Sequence, residues 1–163
     1  MNNLDILRNF GLYGKKKILF NLLDEYELFK ETIEKPGDII ILGENIAMPL
    51  ITFANFSEVQ TIGDRTRLVY GFDKFKKNEN YNNEDEYLKE LQNNINIYDQ
   101  DRFVGWKDRI IYDNTENSFE NFLKNNIGIK ISLLYCKDIK EDEEKIRDIA
   151  KTFMLKNGKI IFV

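Results

Sequence analysis

Histidine is absent from this 163-residue chain, and cysteine occurs once, at Cys136. Without histidine there is no Ser–His or Cys–His catalytic pair, no histidine metal ligand and no imidazole base near neutral pH. A single cysteine excludes an intrachain disulfide and a cysteine-based zinc site, and we interpret it as a small buried apolar residue rather than a nucleophile. Acid–base or metal chemistry must therefore come from carboxylates, lysine or tyrosine.

Long apolar runs and an excess of positive charge are also missing. No segment approaches the ~18 apolar residues of a membrane helix, and the polar N-terminus has no signal-peptide pattern. The 24 Lys and Arg residues are outnumbered by 28 Asp and Glu residues, which gives a net charge of −4. A negative chain has little general affinity for nucleic-acid backbones. The sequence thus predicts a cytoplasmic protein that binds neither membranes nor nucleic acid.

Five short apolar runs, rich in Ile, Leu, Val, Phe and Tyr, alternate with helical patterns. They lie at residues 38–42, 67–72, 109–112, 130–135 and 159–163. Continuous apolar runs of this length are typical of strands buried on both faces of a parallel sheet. The alternation predicts an α/β, Rossmann-like, doubly wound parallel sheet of about five strands. The length predicts one domain over residues 1–163.

The segments between the runs predict helices. We expect residues 1–35 to form an N-terminal helical region, and Pro49 is suited to the start of a helix. An apolar stripe at helical spacing consists of Ile146, Ile149, Ala150, Phe153 and Met154, and Asn157-Gly158 closes it. Residues 74–101 are polar, with a helix near residues 84–95, and they predict a surface insertion or, alternatively, a lid over the sheet.

Polar residues follow the first three runs at the points where each strand ends. They are Gly43, Glu44 and Asn45 after the first run, Asp73 at the end of the second, and Asp113 and Asn114 after the third. In an open parallel sheet these ends meet at one edge, where ligands bind. There a glycine admits a nucleotide, a carboxylate accepts ribose hydroxyls and polar side chains reach an adenine. The alternative is that these residues only form turns and caps.

The fourth run ends at Cys136, Lys137 and Asp138, and further acids follow at residues 141–144. Carboxylates at this point are suited to metal binding or to base catalysis. Alternatively, they stabilise the N-terminus of the following helix through its dipole. Lys137 opposes a metal site because it is a cation.

Five short motifs follow one another along the chain: YELFK at 26–30, PGDI at 36–39, VYGFD at 69–73, SLLY at 132–135 and NGKIIF at 157–162. In this order and spacing they resemble the macrocin-type O-methyltransferases. These enzymes have the class I methyltransferase fold and use S-adenosylmethionine to methylate sugar hydroxyls. The resemblance implies the strand order 3-2-1-4-5, S-adenosylmethionine as cofactor, a ribose-binding acid at Asp73, and a sugar or glycan acceptor.

The chain departs from the family pattern in three places. Ile41 replaces the acid of the first strand, and Ala47 replaces a second glycine. Lys137 and Ile139 take the positions of a metal-binding Asp-x-Asp pair, so Asp138 is the remaining candidate for a catalytic and metal-ligating residue. The chain ends at Val163, before the family's second acidic cluster, which predicts a truncated form of the fold.

These observations leave three hypotheses open. The chain is a divergent O-methyltransferase, or a catalytically inactive relative that serves as a nucleotide-binding or protein-interaction module. The third hypothesis is an unrelated nucleotide-binding protein of response-regulator type, which lacks support because no acidic cluster follows the first strand. Separately, an apolar edge strand from Lys159 to Val163 predicts a homodimer, because exposed edges pair with other chains.

Overall fold

The computed structural model describes residues 16–60, 66–77, 81–100, 110–113, 118–139 and 142–163. The elements follow the order α1 (Lys16–Lys30), β1 (Asp38–Glu44), α2 (Ala47–Gln60), β2 (Val69–Lys74), α3 (Glu84–Gln100), β3 (Ile110–Asp113), α4 (Ser118–Asn125), β4 (Ile131–Lys137), α5 (Glu143–Ala150) and β5 (Met154–Phe162). Within these ranges no helix combines the length and the apolar character that crossing a membrane requires.

The strands pair in parallel in the order β3-β2-β1-β4-β5. The predicted α/β class with a parallel sheet is confirmed. The middle residues of β1 and β4 are buried at successive positions, as expected for strands that have helices on both faces. The strand ends differ from the predicted runs by up to two residues, except in β5.

Two hydrophobic cores lie on opposite faces of the sheet. On one face, α1, α2 and α3 pack on alternate residues of β1 and β4, including Ile41 and Tyr135. On the other face, α4 and α5 pack on the intervening residues, including Leu134 and Cys136. Cys136 is a buried free thiol, and this confirms its interpretation as a core residue.

The prediction of the last helix is wrong at its C-terminal end. α5 ends at Ala150, and Met154 already pairs with Ile131 as the first residue of β5. The N–H of Phe153 donates to the carbonyl oxygen of Ala150, which closes a turn between the two elements. Phe153 and Met154 are apolar because they pack beside β4, so their helical spacing is coincidental.

The predicted insertion at residues 74–101 contains α3, whose position is fixed by two buried side chains. Tyr87 and Leu91 are almost completely buried, and Leu91 belongs to the core under α1 and α2. This segment is therefore anchored to the sheet along one face of α3. Residues 78–80 lie outside the described ranges, and the role of this segment as a lid stays a prediction.

Candidate functional site

Gly43 lies at the centre of the carboxyl edge of the sheet, between an acid and a base. It is in register with Asp73 of β2 on one side and with Lys137 of β4 on the other. Since neighbouring strands are about 4.8 Å apart, the two charged residues have Cα atoms about 10 Å apart. The edge thus presents a carboxylate and an ammonium on either side of a residue without a side chain.

The close approach of β4 requires a glycine at position 43. The φ angle of Gly43 is 144°, and a Cβ atom there would overlap the backbone carbonyl of Lys137. This constraint holds whether or not a ligand is present. The local backbone geometry is therefore enough to explain a glycine at this position, although Gly43 also borders a cavity.

Asp73 is a buried carboxylate with one bonded oxygen and one free oxygen. Its side chain is 5% exposed. Oδ2 accepts a hydrogen bond from the backbone N–H of Ile46 at 3.1 Å and another from the hydroxyl of Tyr87. Among the described residues, Oδ1 has no partner. A buried polar atom without a partner is costly, which makes Oδ1 a candidate for binding a ligand.

Tyr87 brings α3 to the start of α2. Its hydroxyl accepts a hydrogen bond from the backbone N–H of Ala47 at 3.0 Å and donates one to Asp73. Its ring packs against the rings of Phe75 and Tyr81, at centroid distances of 5.8 and 5.0 Å. Asp73 and Tyr87 together therefore satisfy two N–H groups at the N-terminus of α2, where the helix dipole favours negative charge.

The protonation of Asp73 is set by opposing influences. Burial raises the pKa of Asp73 above its ordinary value, while the Tyr87 hydroxyl, the backbone N–H groups of Ile46 and Asn45, and the charge of Lys137 lower it. Burial dominates. Asp73 therefore takes up a proton at a higher pH than an exposed aspartate does.

A cavity of about 510 Å³ opens beside Asp73, and we call it the strand-end cavity. It is lined by Leu42, Gly43, Phe72, Asp73, Lys74, Ser118, Phe119, Glu120, Ile139, Asp142, Lys145, Ile146 and Ile149. Its volume lies within the range of about 300–1,000 Å³ that is typical of small-molecule sites. Apolar walls with a few polar groups are suited to a flat aromatic ring that carries hydroxyl substituents.

A second cavity of about 410 Å³ adjoins the first, and we call it the charged cavity. It is lined by Glu44, Lys74, Lys76, Asp138, Ile139, Asp142 and Val163. Lys74, Ile139 and Asp142 border both cavities. The two spaces therefore form neighbouring parts of one groove along the carboxyl edge, one largely apolar and one carrying charges of both signs.

Lys137 spans the end of β1. Its Nζ donates to the carbonyl oxygens of Glu44 and Asn45, at 2.8 and 3.2 Å, and lies 3.4 Å from a carboxylate oxygen of Asp138. It thus satisfies carbonyl groups in the turn after β1. Its positive charge is therefore held at the end of β1, beside Asp138.

Asp138 is exposed and has a positive φ of 56°. Its backbone N–H donates to the carbonyl oxygen of Val163 at 3.0 Å. In the part of the chain that the structure describes, no group of three acidic or cysteine side chains is arranged to hold a metal ion. The catalytic and metal-binding roles of Asp138 stay predictions.

Glu44 and Asn45 lie at the same edge, but their side chains hold the segment after β2. The carboxylate of Glu44 pairs with the Lys76 ammonium at 2.8 Å. The Asn45 amide donates to the Lys76 carbonyl oxygen at 2.7 Å and accepts from the Lys76 N–H at 3.1 Å. Both residues therefore join the ends of β1 and β2, and their roles in cofactor binding stay predictions.

The predicted adenine-contacting residues are only partly described. Asp113 is the last residue of β3, and its backbone is in register with Phe72 of β2. This places it at the carboxyl edge. Asn114 lies outside the described residues. The structure thus brings Gly43, Glu44, Asn45 and Asp73 together, with Asp138 on the far side of Lys137.

Two buried polar residues near this edge were missed by the sequence analysis: Tyr87 and Glu25. The hydroxyl of Tyr135 donates to Oε1 of Glu25 at 3.3 Å, while Oε2 has no partner among the described residues. Burial raises the pKa of Glu25 to about 6, and the Tyr135 hydrogen bond and the Lys137 charge oppose this. The available signal was that Glu25 falls in phase with Phe29, on the apolar face of α1.

No family model matches the chain, and no curated protein matches it either. Among solved structures, the chain is similar to CalS11, described as a TDP-rhamnose 3'-O-methyltransferase of calicheamicin biosynthesis, in its apo form. The TM-score is 0.83 at 19% identity, and the match covers 99% of this chain and 70% of that chain. Another CalS11 structure, described as a calicheamicin methyltransferase, gives 0.82 at 18% identity with the same coverage.

A likeness at this identity shows the fold alone. The chain has the methyltransferase fold of CalS11, and the predicted methyltransferase fold is confirmed at that level. The strand-end cavity lies at the carboxyl edge of the sheet, where α/β proteins of this kind bind their ligands.

Proposed function

We propose that the chain is an S-adenosylmethionine-dependent O-methyltransferase-like protein that acts on a sugar hydroxyl in the cytoplasm. The observation that carries this proposal is the unpartnered Oδ1 of Asp73, a buried carboxylate at the edge of a 510 Å³ cavity. The shared fold with CalS11, a sugar O-methyltransferase by its description, supports the same chemistry. The macrocin-type resemblance of the sequence names the same class of acceptor.

The strand-end cavity fits the adenosine part of the cofactor. Asp73 would accept hydrogen bonds from the ribose hydroxyls, since an ionised carboxylate is an acceptor only. Apolar side chains from α4 and α5, including Phe119 and Ile146, would contact the adenine. Asp113 and Asn114 remain our proposed partners for the adenine edge.

The charged cavity fits the remaining part of the cofactor less well. Its carboxylates and lysines match an amino-acid zwitterion, which carries one charge of each sign. However, Ile41 is fully buried in the core and offers no charge, and Lys137 places an ammonium at the end of β1. When bound, S-adenosylmethionine supplies an electrophilic methyl group. The Lys137 ammonium would favour its neutral and anionic parts over its sulfonium.

Asp138 is our proposed base for the acceptor hydroxyl. It is exposed at the charged cavity and free to approach a sugar. A base accelerates the transfer by removing the hydroxyl proton as the new bond forms. The described residues do not fit a divalent metal, because the Lys137 ammonium lies 3.4 Å from Asp138.

The alternative function is a catalytically inactive relative that binds a nucleotide or a protein. Lys137 favours this alternative, since its fixed charge repels the sulfonium of S-adenosylmethionine. Both functions share the adenosine site. They differ in whether a methyl group is transferred.

Calorimetric titration tests the shared part of the proposal. S-Adenosylmethionine and S-adenosylhomocysteine are titrated into the wild type, Asp73→Asn and Asp148→Asn, an exposed control on α5. We expect micromolar binding by the wild type and the control, and a loss of about tenfold or more in Asp73→Asn, since hydrogen bonds to charged groups are strong. No binding of either compound at millimolar concentration would contradict the site.

Methyl transfer distinguishes the two functions. Labelled S-adenosylmethionine is incubated with the protein and TDP-rhamnose, the sugar named for CalS11, followed by other nucleotide-linked sugars. Label in the sugar supports the enzyme. Cofactor binding without transfer to any sugar favours the inactive relative.

We extend the proposal to a homodimer through β5. Among the described residues, β5 pairs with β4 and presents its other edge from Lys159 to Val163. That edge is partly protected, because Lys159 forms an ion pair with Glu31 and the Arg147 guanidinium lies 4.9 Å from the ring centroid of Phe162. Sedimentation velocity at micromolar concentration is expected to show a dimer, and a strict monomer would contradict this part.

A further inference from the structure

Tyr87 connects α3 to the carboxylate on which the proposed function depends. Its hydroxyl and the N–H of Ile46 both donate to Oδ2 of Asp73. The same hydroxyl accepts from the N–H of Ala47 at 3.0 Å, so its proton is directed towards Asp73. Two donors on one oxygen hold that oxygen at the start of α2 and leave Oδ1 unpartnered.

We propose that Tyr87 is a positioning residue: by holding Oδ2, it fixes the Asp73 carboxylate so that Oδ1 receives the hydroxyl groups of a ribose. This inference rests on the proposed function, since it requires a ribose-bearing ligand at Asp73. A carboxylate held in one orientation before binding loses less freedom on binding. The residue at position 87 must donate and accept at once, and a tyrosine hydroxyl does both.

Tyr87 is itself held firmly. Its side chain is 1% exposed, and the rings of Phe75 and Tyr81 pack against it. The three aromatic residues come from the segment between β2 and α3 and from α3 itself. The predicted insertion therefore contributes directly to the geometry of the site.

Tyr87 also influences the charge of Asp73. Burial raises the pKa of Asp73, and the Tyr87 hydrogen bond is the largest influence that lowers it. The other groups around Asp73 are the backbone N–H groups of Asn45 and Ile46, just before α2, and Lys137 of β4. The charged residues that line the cavity are Lys74, Glu120, Asp142 and Lys145. Removing the Tyr87 hydroxyl would raise the pKa of Asp73 further. As the pH falls, the carboxylate would then be protonated at a higher pH than in the wild type.

Titration with adenosine across the range from pH 5 to pH 8 tests the inference. The variants are Tyr87→Phe and the matched control Tyr26→Phe, which removes a hydroxyl on α1 that accepts a hydrogen bond from the Gln60 amide. We expect Tyr87→Phe to weaken adenosine binding about tenfold at pH 7 and to move the pH at which binding is lost upwards. Tyr26→Phe should leave both quantities unchanged. A purely structural role would lower the melting temperature without moving the pH profile.

A double-mutant cycle shows whether Tyr87 acts through Asp73. In the Asp73→Asn background, Tyr87→Phe should have no further effect on adenosine affinity. Fully additive losses, or wild-type affinity in Tyr87→Phe, would overturn the inference. Tighter binding by Tyr87→Phe would also overturn it, because Tyr87 would then compete with the ligand.

Two further outcomes separate this inference from the proposed function. If the wild type binds neither adenosine nor S-adenosylhomocysteine, both are overturned. If Tyr87→Phe does not fold, Ala47→Pro removes the N–H that orients the hydroxyl at a helix position that tolerates proline. That variant should weaken adenosine binding in the same direction, and unchanged binding would overturn the inference.

Discussion

The two sides of Gly43 carry opposite charges at equivalent positions of the sheet. On the β2 side, Asp73 has a free oxygen, a cavity and a positioning hydroxyl. On the β4 side, Lys137 bonds to the carbonyl oxygens of the β1 turn, and the neighbouring acid, Asp138, is exposed. Under the proposed function, nucleoside binding and methyl transfer place separate demands on the two sides, and the residues present fit the first demand better.

The largest effect on stability is expected for a substitution of Gly43 itself, which lies between β2 and β4. Gly43→Ala places a Cβ atom against the Lys137 backbone at a φ of 144°. We expect a loss of about 3–5 kcal/mol in the free energy of unfolding, because overpacking adds to backbone strain. Urea denaturation measures it. The control is Gly128→Ala, where an added Cβ meets no atom within 4 Å, and equal losses in the two variants would contradict the packing of β1 on β4.

The next prediction concerns Glu25, the second buried carboxyl near Lys137. The pKa of Glu25 is raised to about 6 by burial. Since the folded chain binds this proton more tightly than the unfolded chain, the associated stability is complete below about pH 4.5 and is lost as the pH rises through 6. Relative to the wild type, Glu25→Gln should gain about 2 kcal/mol between pH 4 and pH 7.5.

Unfolding curves at both pH values measure the Glu25 prediction. Asp24→Asn is the control, since Asp24 is exposed on the same helix. The change in stability of Glu25→Gln between the two pH values, compared with that of the control, is the measured quantity. A difference between Glu25→Gln and the wild type that stays constant with pH would show that Glu25 is not buried as described.

The Lys137→Met variant tests whether the ammonium influences which form of the cofactor binds. The fixed ammonium opposes a cationic ligand, so the wild type should bind neutral S-adenosylhomocysteine more tightly than S-adenosylmethionine. Lys137→Met should reduce this preference by about three- to fivefold, as expected for a partly exposed charge. Lys130→Met, before the opposite end of β4, should leave it unchanged. An unchanged preference in Lys137→Met would place the ammonium away from the ligand.

The smallest effect on stability is expected at Asp138. Because Asp138 is exposed, Asp138→Asn should change the free energy of unfolding by less than about 0.5 kcal/mol, and it should leave S-adenosylhomocysteine affinity unchanged. If Asp138 is the base, methyl transfer should fall about 100-fold. Glu144→Gln, an exposed acid on α5, is the control. Undiminished transfer in Asp138→Asn would exclude it as the base.

The fold was predictable from the sequence where buried apolar runs and their order along the chain indicate the same elements. The continuous apolar runs predicted parallel strands, and the strand-end rule placed Asp73 at the carboxyl edge. The start of β5 was not predictable from spacing, because Phe153 in the turn and Met154 in the strand pack against the core, as apolar residues of a helix would. The roles of Lys137 and Tyr87 depend on contacts across the fold: Tyr87 follows Asp73 by 14 residues and meets it only once α3 packs.

The central claim is that Asp73 binds the hydroxyl groups of a ribose, and changing the ligand tests it most directly. Adenosine and 2',3'-dideoxyadenosine are titrated into the wild type and Asp73→Asn. We expect the wild type to bind adenosine about tenfold or more tightly than the dideoxy compound, because the latter leaves a buried carboxylate unpaired. Asp73→Asn should lose this preference. Equal affinity of the wild type for the two compounds would contradict the account.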